Sequence, residues 1–396
     1  ILITTKTGKK GTPRVSLNSS VSNQKPTKFP EKVSALDHAL LSNEARANDG
    51  GAPKFTQAQI DRLSSPDYKE VNWDDFFLRD AFQTDHNLSI SGGGENNDYY
   101  VSFGYLKQDG VVINTGFERF NIQVNQNVKI NNKLKLGLKV GYIPSIVTQP
   151  TGDQLGSMLT GVAALPNTDD QLQTPDGRWL GRLDGGSNAI ANASEDGGQT
   201  IIKSTRLSGN VSLEYNIIPR LKFTANYGMV RNQSRLRDYT RILTLYQQAN
   251  PDMVQSKTEF NSLKIGYASD IQHNANLLAN YSQEIGDHNF SLLGGVTAEW
   301  FEQMNDGITT RDFLTDDIYT VSAGTTNPTF WGINGTASDW SLASVVPRAS
   351  YSFKEKYLLE GTIRYDGSSR FLNDVRWGLF PSVSAGWVIS KENFMS

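Results

Sequence analysis

Long stretches of this chain alternate strictly between apolar and polar residues. Because successive side chains of a β-strand point to opposite faces, a period of two gives each strand one apolar and one polar face. The pattern is continuous from near Thr84, and with a first barrel-type strand at Val15, Leu17, Ser19 and Val21 it predicts about twelve strands. One clear example has lysine or glycine between apolar residues at Leu134, Leu136, Leu138, Val140 and Tyr142.

The connections between the predicted strands are of two kinds. Long connections are expected before about Thr84, over residues 145–200, and up to about Asp270 and Ser341, with short helices over residues 33–48 and 56–63. If the strands run up and down in sequence, every tight turn falls at one end of the sheet and every long loop at the other. Tight turns are predicted at Asn131-Asn132, Ile218-Pro219, Gly286-Asp287 and Lys354-Glu355-Lys356.

This sorting of loops is typical of outer-membrane barrels, and the strand lengths suit a tilted strand crossing a bilayer. In a soluble β-sandwich the apolar face would pack against a partner sheet instead. Such a fold gives no physical reason for the long loops to lie at one end and the tight turns at the other. We therefore expect an all-β fold, a transmembrane antiparallel β-barrel with short helices in the long outer loops. Its interfacial aromatic girdles would comprise Tyr142, Tyr215, Tyr281, Trp300, Tyr351, Phe353, Tyr357, Tyr365 and Trp387.

Composition narrows the possible functions. The 396 residues are 37% hydrophobic, and no run of about 18 apolar residues exists to cross a bilayer as a helix. A net charge of −3 offers no basic surface for nucleic acid. The chain has no cysteine, and its four histidines lack metal-ligand spacing, so we expect neither a metal nor a cofactor.

Catalytic motifs are not predicted. Acidic pairs at Asp74-Asp75, Asp169-Asp170 and Asp316-Asp317 raise the possibility of a glycosidase, but they lie in predicted loops, where carboxylates are commonly solvated. No nucleophile elbow, phosphate-binding loop or calcium loop is present in the sequence. We therefore expect that the chain is not an enzyme.

Three tryptophans are the candidate substrate-contacting residues. Trp179, Trp331 and Trp340 are predicted to lie in the long outer loops. An exposed indole in such a loop can stack on a sugar ring, or it can pack the loop against itself. The sequence leaves both roles open.

Several longer motifs carry a family resemblance. The start, Ile1–Gly8, resembles the last plug strand of TonB-dependent receptors of the SusC/RagA type. Other segments are similar to the early hairpin and the mid-barrel signature of that family. These segments are residues 85–93, 99–105, 364–371 and 380–387.

The resemblance implies a 22-stranded barrel in the outer membrane of a Gram-negative, Bacteroidota-type bacterium. Residues 1–11 would end the plug domain, and residues 12–396 would form the first part of the barrel, as a fragment cut at both ends. The implied function is import of oligosaccharides or peptides, driven by TonB through a segment absent here. The implied partners are a SusD-like surface lipoprotein, the glycan or peptide ligand and outer-membrane lipid.

Two other functions remain as alternatives. One is a passive porin or outer-membrane adhesin, which the plug-like start at Ile1–Gly8 disfavours. The other is a secreted, soluble carbohydrate-binding β-protein, which would stay soluble without detergent. The sequence does not distinguish glycan from peptide as ligand.

Overall fold

The computed structural model describes residues 6–28, 31–152, 154–157, 159, 171–182 and 187–395. Its described part is dominated by strands, with short helices in the long connections. The helices are α1 (Ala35–Asn48), α2 (Gln57–Leu63), α3 (Asp74–Phe77) and α4 (Ala189–Ala193). The strands are β1 (Gly11–Gln24), β2 (Ala81–Gly93), β3 (Asn97–Asp109), β4 (Gly116–Lys129), β5 (Leu134–Pro150), β6 (Gly198–Ile218), β7 (Leu221–Thr240), β8 (Thr244–Tyr246), β9 (Val254–Lys257), β10 (Ser262–Ile285), β11 (His288–Arg311), β12 (Gly332–Val345), β13 (Arg348–Phe353), β14 (Tyr357–Ser368) and β15 (Trp377–Trp387).

One antiparallel sheet organises the chain. Its 13 strands pair in sequence order from β1 to β15, while β8 and β9 form a separate hairpin in a long connection. Both β12 and β13 pair with β11, so together they occupy one position in the sheet, with the interruption at Val346-Pro347. The described strands of this sheet therefore fill twelve positions, and the expected all-β, barrel-type fold is confirmed.

The tight turns and the long connections lie at opposite ends of the sheet, as predicted. Lys354 and Glu355 have φ values of 52° and 51°, which suit the primed turns that join twisted strands. Asn131 Oδ1 accepts hydrogen bonds from the backbone N–H groups of Lys133 and Leu134 at 2.8 and 2.9 Å. The described parts of the connections between β1 and β2, β5 and β6, β7 and β10, and β11 and β12 lie at the other end.

Several strands are longer than the sequence pattern predicts. The prediction starts a strand near residue 206 and another at residue 271, but β6 begins at Gly198 and β10 at Ser262. The predicted loop that reached Ser341 is wrong, because residues 332–345 form β12. Each extension lies at the long-loop end, where the alternation of apolar and polar residues has stopped.

The predicted strand over residues 1–7 is testable only in part. Residues 1–5 lie outside the described residues, and Lys6 and Thr7 are not in a strand.

The sheet has one apolar and one polar face. Leu136, Leu213, Ala225, Leu277 and Val296 are successive cross-strand neighbours from β5 to β11. Leu213 and Leu277 are 37% and 52% exposed, although both are large aliphatic side chains. The neighbouring row on the other face is polar or small throughout: Asp98, Asn127, Gly137, Ser212, Asn226, Asn276, Thr297 and Ser344.

The height of the apolar band matches a bilayer. On β11 the outward residues are aromatic, aliphatic or small from Phe290 to Trp300, and the next outward residue is Glu302. Ten residues span about 33 Å along a strand, or roughly 25 Å along the membrane normal at a tilt of about 40°. His273 lies in this band, stacked on Trp300 with ring centroids 4.8 Å apart, and its Nδ1 is 2.7 Å from the Tyr227 hydroxyl.

Most of the buried hydrophobic clusters lie in the long connections, and one joins Phe313 to the outer ends of two strands, at Tyr239 of β7 and Leu263 of β10. Trp73, Phe77, Leu172 and Ile190 form one cluster, and α1 packs with α2 in another. Thr56 and Gln59 form a capping box that fixes the start of α2. None of the helices within the described ranges is long and apolar enough to cross a membrane.

The two faces make different predictions for the same substitution. In the intact protein we expect Leu213→Arg to reduce the free energy of unfolding from lipid by about 2–4 kcal/mol, because it places a charge on the apolar band. Ser212→Arg is the matched control, since it adds the same charge to the adjacent position on the polar face. Equilibrium refolding into lipid vesicles measures both, and equal losses would contradict the assignment of the faces.

Candidate ligand-contacting face of the sheet

Two aromatic residues interrupt the polar face. Phe301 of β11 and Trp340 of β12 are directly opposite each other, and both occupy positions of the polar register. Their rings stack with centroids 5.6 Å apart and an interplanar angle of 21°. Both side chains are half-buried, so part of the stacked surface stays open to the interior.

Arg370 extends this aromatic pair. Its guanidinium carbon lies 5.1 Å from the centroid of the Trp340 ring, a cation–π distance. The segment that carries it is fixed to β12, since Ser341 N donates to Ser369 Oγ at 2.8 Å and Ser369 N donates to Ser341 O at 2.9 Å. We call Phe301, Trp340 and Arg370 the aromatic shelf.

The aromatic shelf is surrounded by neutral and acidic hydrogen-bonding groups. Gln272 is the cross-strand neighbour of Phe301 on β10, and its amide donates to the Glu299 carboxylate. An aromatic surface beside such groups suits a neutral, partly apolar ligand that is also rich in hydrogen-bonding groups. Sugar rings and peptide bonds both have this character.

Trp340 is therefore not in an outer loop, contrary to the prediction. It lies in β12 on the interior face, whereas Trp331 lies at the end of the connection that precedes β12. Trp331 is 45% exposed, and its indole N–H donates to Thr325 O at 2.8 Å. Nine residues of extended chain separate the two tryptophans by about 30 Å, so they do not form one site.

Trp179 packs the loops. It lies against the buried clusters that contain Ile190 and Leu245, and its indole N–H donates to Asp196 Oδ2 at 2.8 Å. Its backbone carbonyl also accepts from Tyr246 N at 2.9 Å. These contacts join the 151–197 and 241–261 connections, and they favour the packing role over ligand contact.

Two of the three acidic pairs lie among the described residues, and their carboxylates stabilise the loops. Asp74 Oδ1 forms an ion pair with Lys32 at 2.7 Å. Asp316 Oδ1 accepts from the Tyr239 hydroxyl at 2.7 Å and from Asn261 Nδ2 at 2.9 Å. Burial, together with the Asp316 carboxylate, holds the pKa of Tyr239 well above its usual value. Asp169-Asp170 lies outside the described residues.

No group of three or more histidine, cysteine, aspartate or glutamate side chains within the described ranges is placed to hold a metal ion.

Sequence reasoning missed Phe301 and Arg370. Phe301 follows Trp300 directly, so one of two adjacent aromatics has to lie on the polar face, and that was the available signal. Arg370 lies in the loop after β14, outside any strand. The alternation of strand residues therefore does not apply to it, and no pattern in the sequence indicates that it contacts Trp340.

Comparison with known proteins shows which proteins the chain is similar to. No protein-family model matches the chain. TonB-dependent receptor P26 of Formosa agariphila is 28% identical over 418 residues, covering 100% of this chain and 39% of that protein. TonB-dependent receptor SusC of Bacteroides thetaiotaomicron is 28% identical over 426 residues, again with 100% and 39% coverage. The chain resembles SusC/RagA-type TonB-dependent receptors over its whole length.

Solved structures agree on the fold. The RagAB peptide transporter matches with a TM-score of 0.79 at 19% identity, covering 99% of this chain and 46% of that chain. The RagAB peptide importer in its closed-closed state matches with a TM-score of 0.77 at 18% identity. The chain spans less than half the length of the SusC/RagA-type receptors it resembles.

The packing role of Trp179 is testable by limited proteolysis of the intact protein. Trp179→Ala removes a partly buried indole packed against two buried clusters, together with its hydrogen bond to Asp196, and should cost less local stability than the about 3–5 kcal/mol of a fully buried indole. We expect faster cleavage within the 151–197 connection. Trp331→Ala is the control, because that indole is exposed. Unchanged cleavage of the Trp179 variant would contradict the packing role.

Proposed function

We propose that this chain forms part of the wall of a TonB-dependent outer-membrane transporter that imports oligosaccharides or peptides. The observation that carries the proposal is a sheet with one lipid-type face, one polar face and all its long loops at one end. The similarity of the whole chain to part of SusC and the structural likeness to RagAB support it.

The segment before β1 supports a gated transporter over a passive porin. Asn125, which lies on the interior face of β4 and is 2% exposed, donates from Nδ2 to Lys6 O at 2.7 Å. A Cβ at Gly8 would lie 2.3 Å from Gly92 O, so the chain passes tightly against the sheet. Residues 6–10 therefore run along the interior at the short-turn end, as expected if residues 1–11 end a plug domain.

The exposed apolar band argues against the secreted, soluble alternative. The outward face carries large aliphatic and aromatic side chains over a height of about 25 Å and across neighbouring strands. A soluble monomer usually exposes only a few hundred Å² of contiguous apolar surface, which is much less than such a band. Lipid is the environment in which such a face is stable. We accordingly propose the outer membrane of a Gram-negative, Bacteroidota-type bacterium as the location, with outer-membrane lipid against this face.

Ligand contact is proposed at the aromatic shelf. Trp340 presents a half-buried ring to the interior, and Trp331 stands nearer the outer rim, where a ligand would first arrive. Trp179 would act only indirectly, by supporting the loops. The proposed partners are a SusD-like surface lipoprotein over the long loops and TonB on the opposite side.

Transport by the intact receptor tests the proposal. Cells that lack the receptor gene would be complemented and grown on either a protein digest or a panel of glycan hydrolysates as sole carbon source. We expect growth on one of the two classes, with uptake abolished when TonB is deleted. Uptake that persists without TonB would favour the passive porin.

A matched pair of variants tests the aromatic shelf. Trp340→Ala removes the interior stacking surface, and we expect the apparent affinity for the transported substrate to fall about tenfold. Trp300→Ala removes the same side chain from the outward face of the neighbouring strand and should leave that affinity unchanged. Equal effects of the two substitutions would refute ligand contact at Trp340.

A further inference from the structure

Three basic side chains form an exposed patch on the outward face of the sheet. Lys203 belongs to β6, and Arg231 and Arg235 belong to β7. Arg231 lies between Leu207 and Ile271 in the same cross-strand row, and Lys203 lies directly opposite Arg235. The registers of β7 with β10 and of β10 with β11 have no bulge, so the basic patch shares the face of Trp300.

The basic patch begins where the apolar band ends. Ile271, the neighbour of Arg231, pairs with Glu302, which is the first outward residue of β11 beyond Trp300. Arg231 therefore lies at the outer boundary of the apolar band, on the long-loop side, and Lys203 and Arg235 lie just beyond that boundary. This is the height of lipid headgroups.

The charges of the basic patch are not balanced by the protein. Lys203 and Arg235 are like charges at directly opposite positions of neighbouring strands, which is unfavourable without a counterion. Within the part of the chain that the structure describes, no carboxylate forms an ion pair with any of the three side chains. The row-mates Glu302 and Asp306 are two strands away on β11.

Arg237, two residues further along β7 on the same face, shows the contrast. Its guanidinium lies 4.6 Å from the Tyr319 ring centroid and donates to Tyr319 O at 3.0 Å. The guanidinium of Arg237 therefore interacts with a group of the protein itself. Lys203, Arg231 and Arg235 are exposed. Arg231 also donates a hydrogen bond to the hydroxyl of Tyr267, a neutral group that leaves the charge of the guanidinium uncompensated.

An apolar groove lies directly below the basic patch on the same face. Its volume is about 610 Å³, and its floor consists of small side chains flanked by larger ones. Tyr227, one of its lining residues, is four residues from Arg231 on β7, a distance of about 13 Å along the strand, which places the groove about 10 Å deeper in the membrane at a tilt of about 40°. Four alanines form the floor: Ala225, Ala275, Ala298 and Ala343.

We propose that the basic patch and the groove together bind one phosphorylated lipid of the outer leaflet, with its phosphate on Lys203, Arg231 and Arg235 and an acyl chain in the groove. The proposal rests on the membrane location given above. Guanidinium groups bind phosphate oxygens bidentately, and a bound phosphate relieves the repulsion between Lys203 and Arg235. The separation of charge and groove along β7 matches the order of headgroup and chain in a lipid.

Native mass spectrometry of the intact protein tests this binding. The protein would be placed in phosphatidylethanolamine nanodiscs that contain either diphosphorylated lipid A or its dephosphorylated form. We expect the wild type to retain the phosphorylated lipid selectively. The triple variant Lys203→Gln/Arg231→Gln/Arg235→Gln should bind it roughly 100-fold more weakly, at about fivefold for each lost charge.

Two controls separate lipid binding from loss of folding and from simple charge. Arg206→Gln removes a cation from the opposite face of β6, three residues from Lys203, and should leave lipid retention unchanged. Arg231→Lys/Arg235→Lys keeps the charge and should retain most of the binding, which keeps the test decisive if the triple variant fails to fold.

Three outcomes would overturn the proposal. They are equal retention of the two lipids by the wild type, full retention by a folded triple variant, and displacement of the lipid by millimolar inorganic phosphate alone. The last would mean that the basic patch is a site for free phosphate. If the intact receptor took up neither class of substrate but still retained the phosphorylated lipid, the result would count against the proposed function and leave this inference standing.

Discussion

The structure depends on one constraint: inside a bilayer, every backbone N–H and C=O group needs a partner within the protein. The strands from β6 to β11 meet it with long antiparallel ladders, and β10 pairs with β11 without a bulge from Ser262 to Ile285. Since a slip of one residue would send every apolar side chain to the polar face, the uninterrupted register also fixes which side meets lipid. The edges left by β1 and β15, which have no further partner among the described strands, are subject to the same requirement.

The sequence pattern predicted the strands within the apolar band, where contact with lipid requires apolar residues on one face. Within the apolar band the two faces meet different surroundings, so alternation is strong and the strands were found. Beyond the band both faces meet water, and the selection for apolar residues on one face ends. That is why residues 332–341 read as a loop although they form the outer half of β12.

The candidate site was predicted less well, for a different physical reason. Three tryptophans were equivalent in the sequence, and only long-range pairing separates them. Cross-strand register places Trp340 beside Phe301 on the interior face. Contacts between two distant connections partly bury Trp179. Neither relation has a local signature, because both depend on residues brought together by the sheet.

The alternation of faces is the central claim, and the cysteine-free chain allows a direct measurement of it. Single cysteines would be introduced from residue 273 to residue 281 of β10 in the intact protein, spin-labelled, and reconstituted into lipid. The ratio of oxygen to nickel-chelate accessibility should alternate with a period of two, high at 275, 277 and 279 and low at 274, 276 and 278. A uniform ratio, or the opposite phase, would contradict the account.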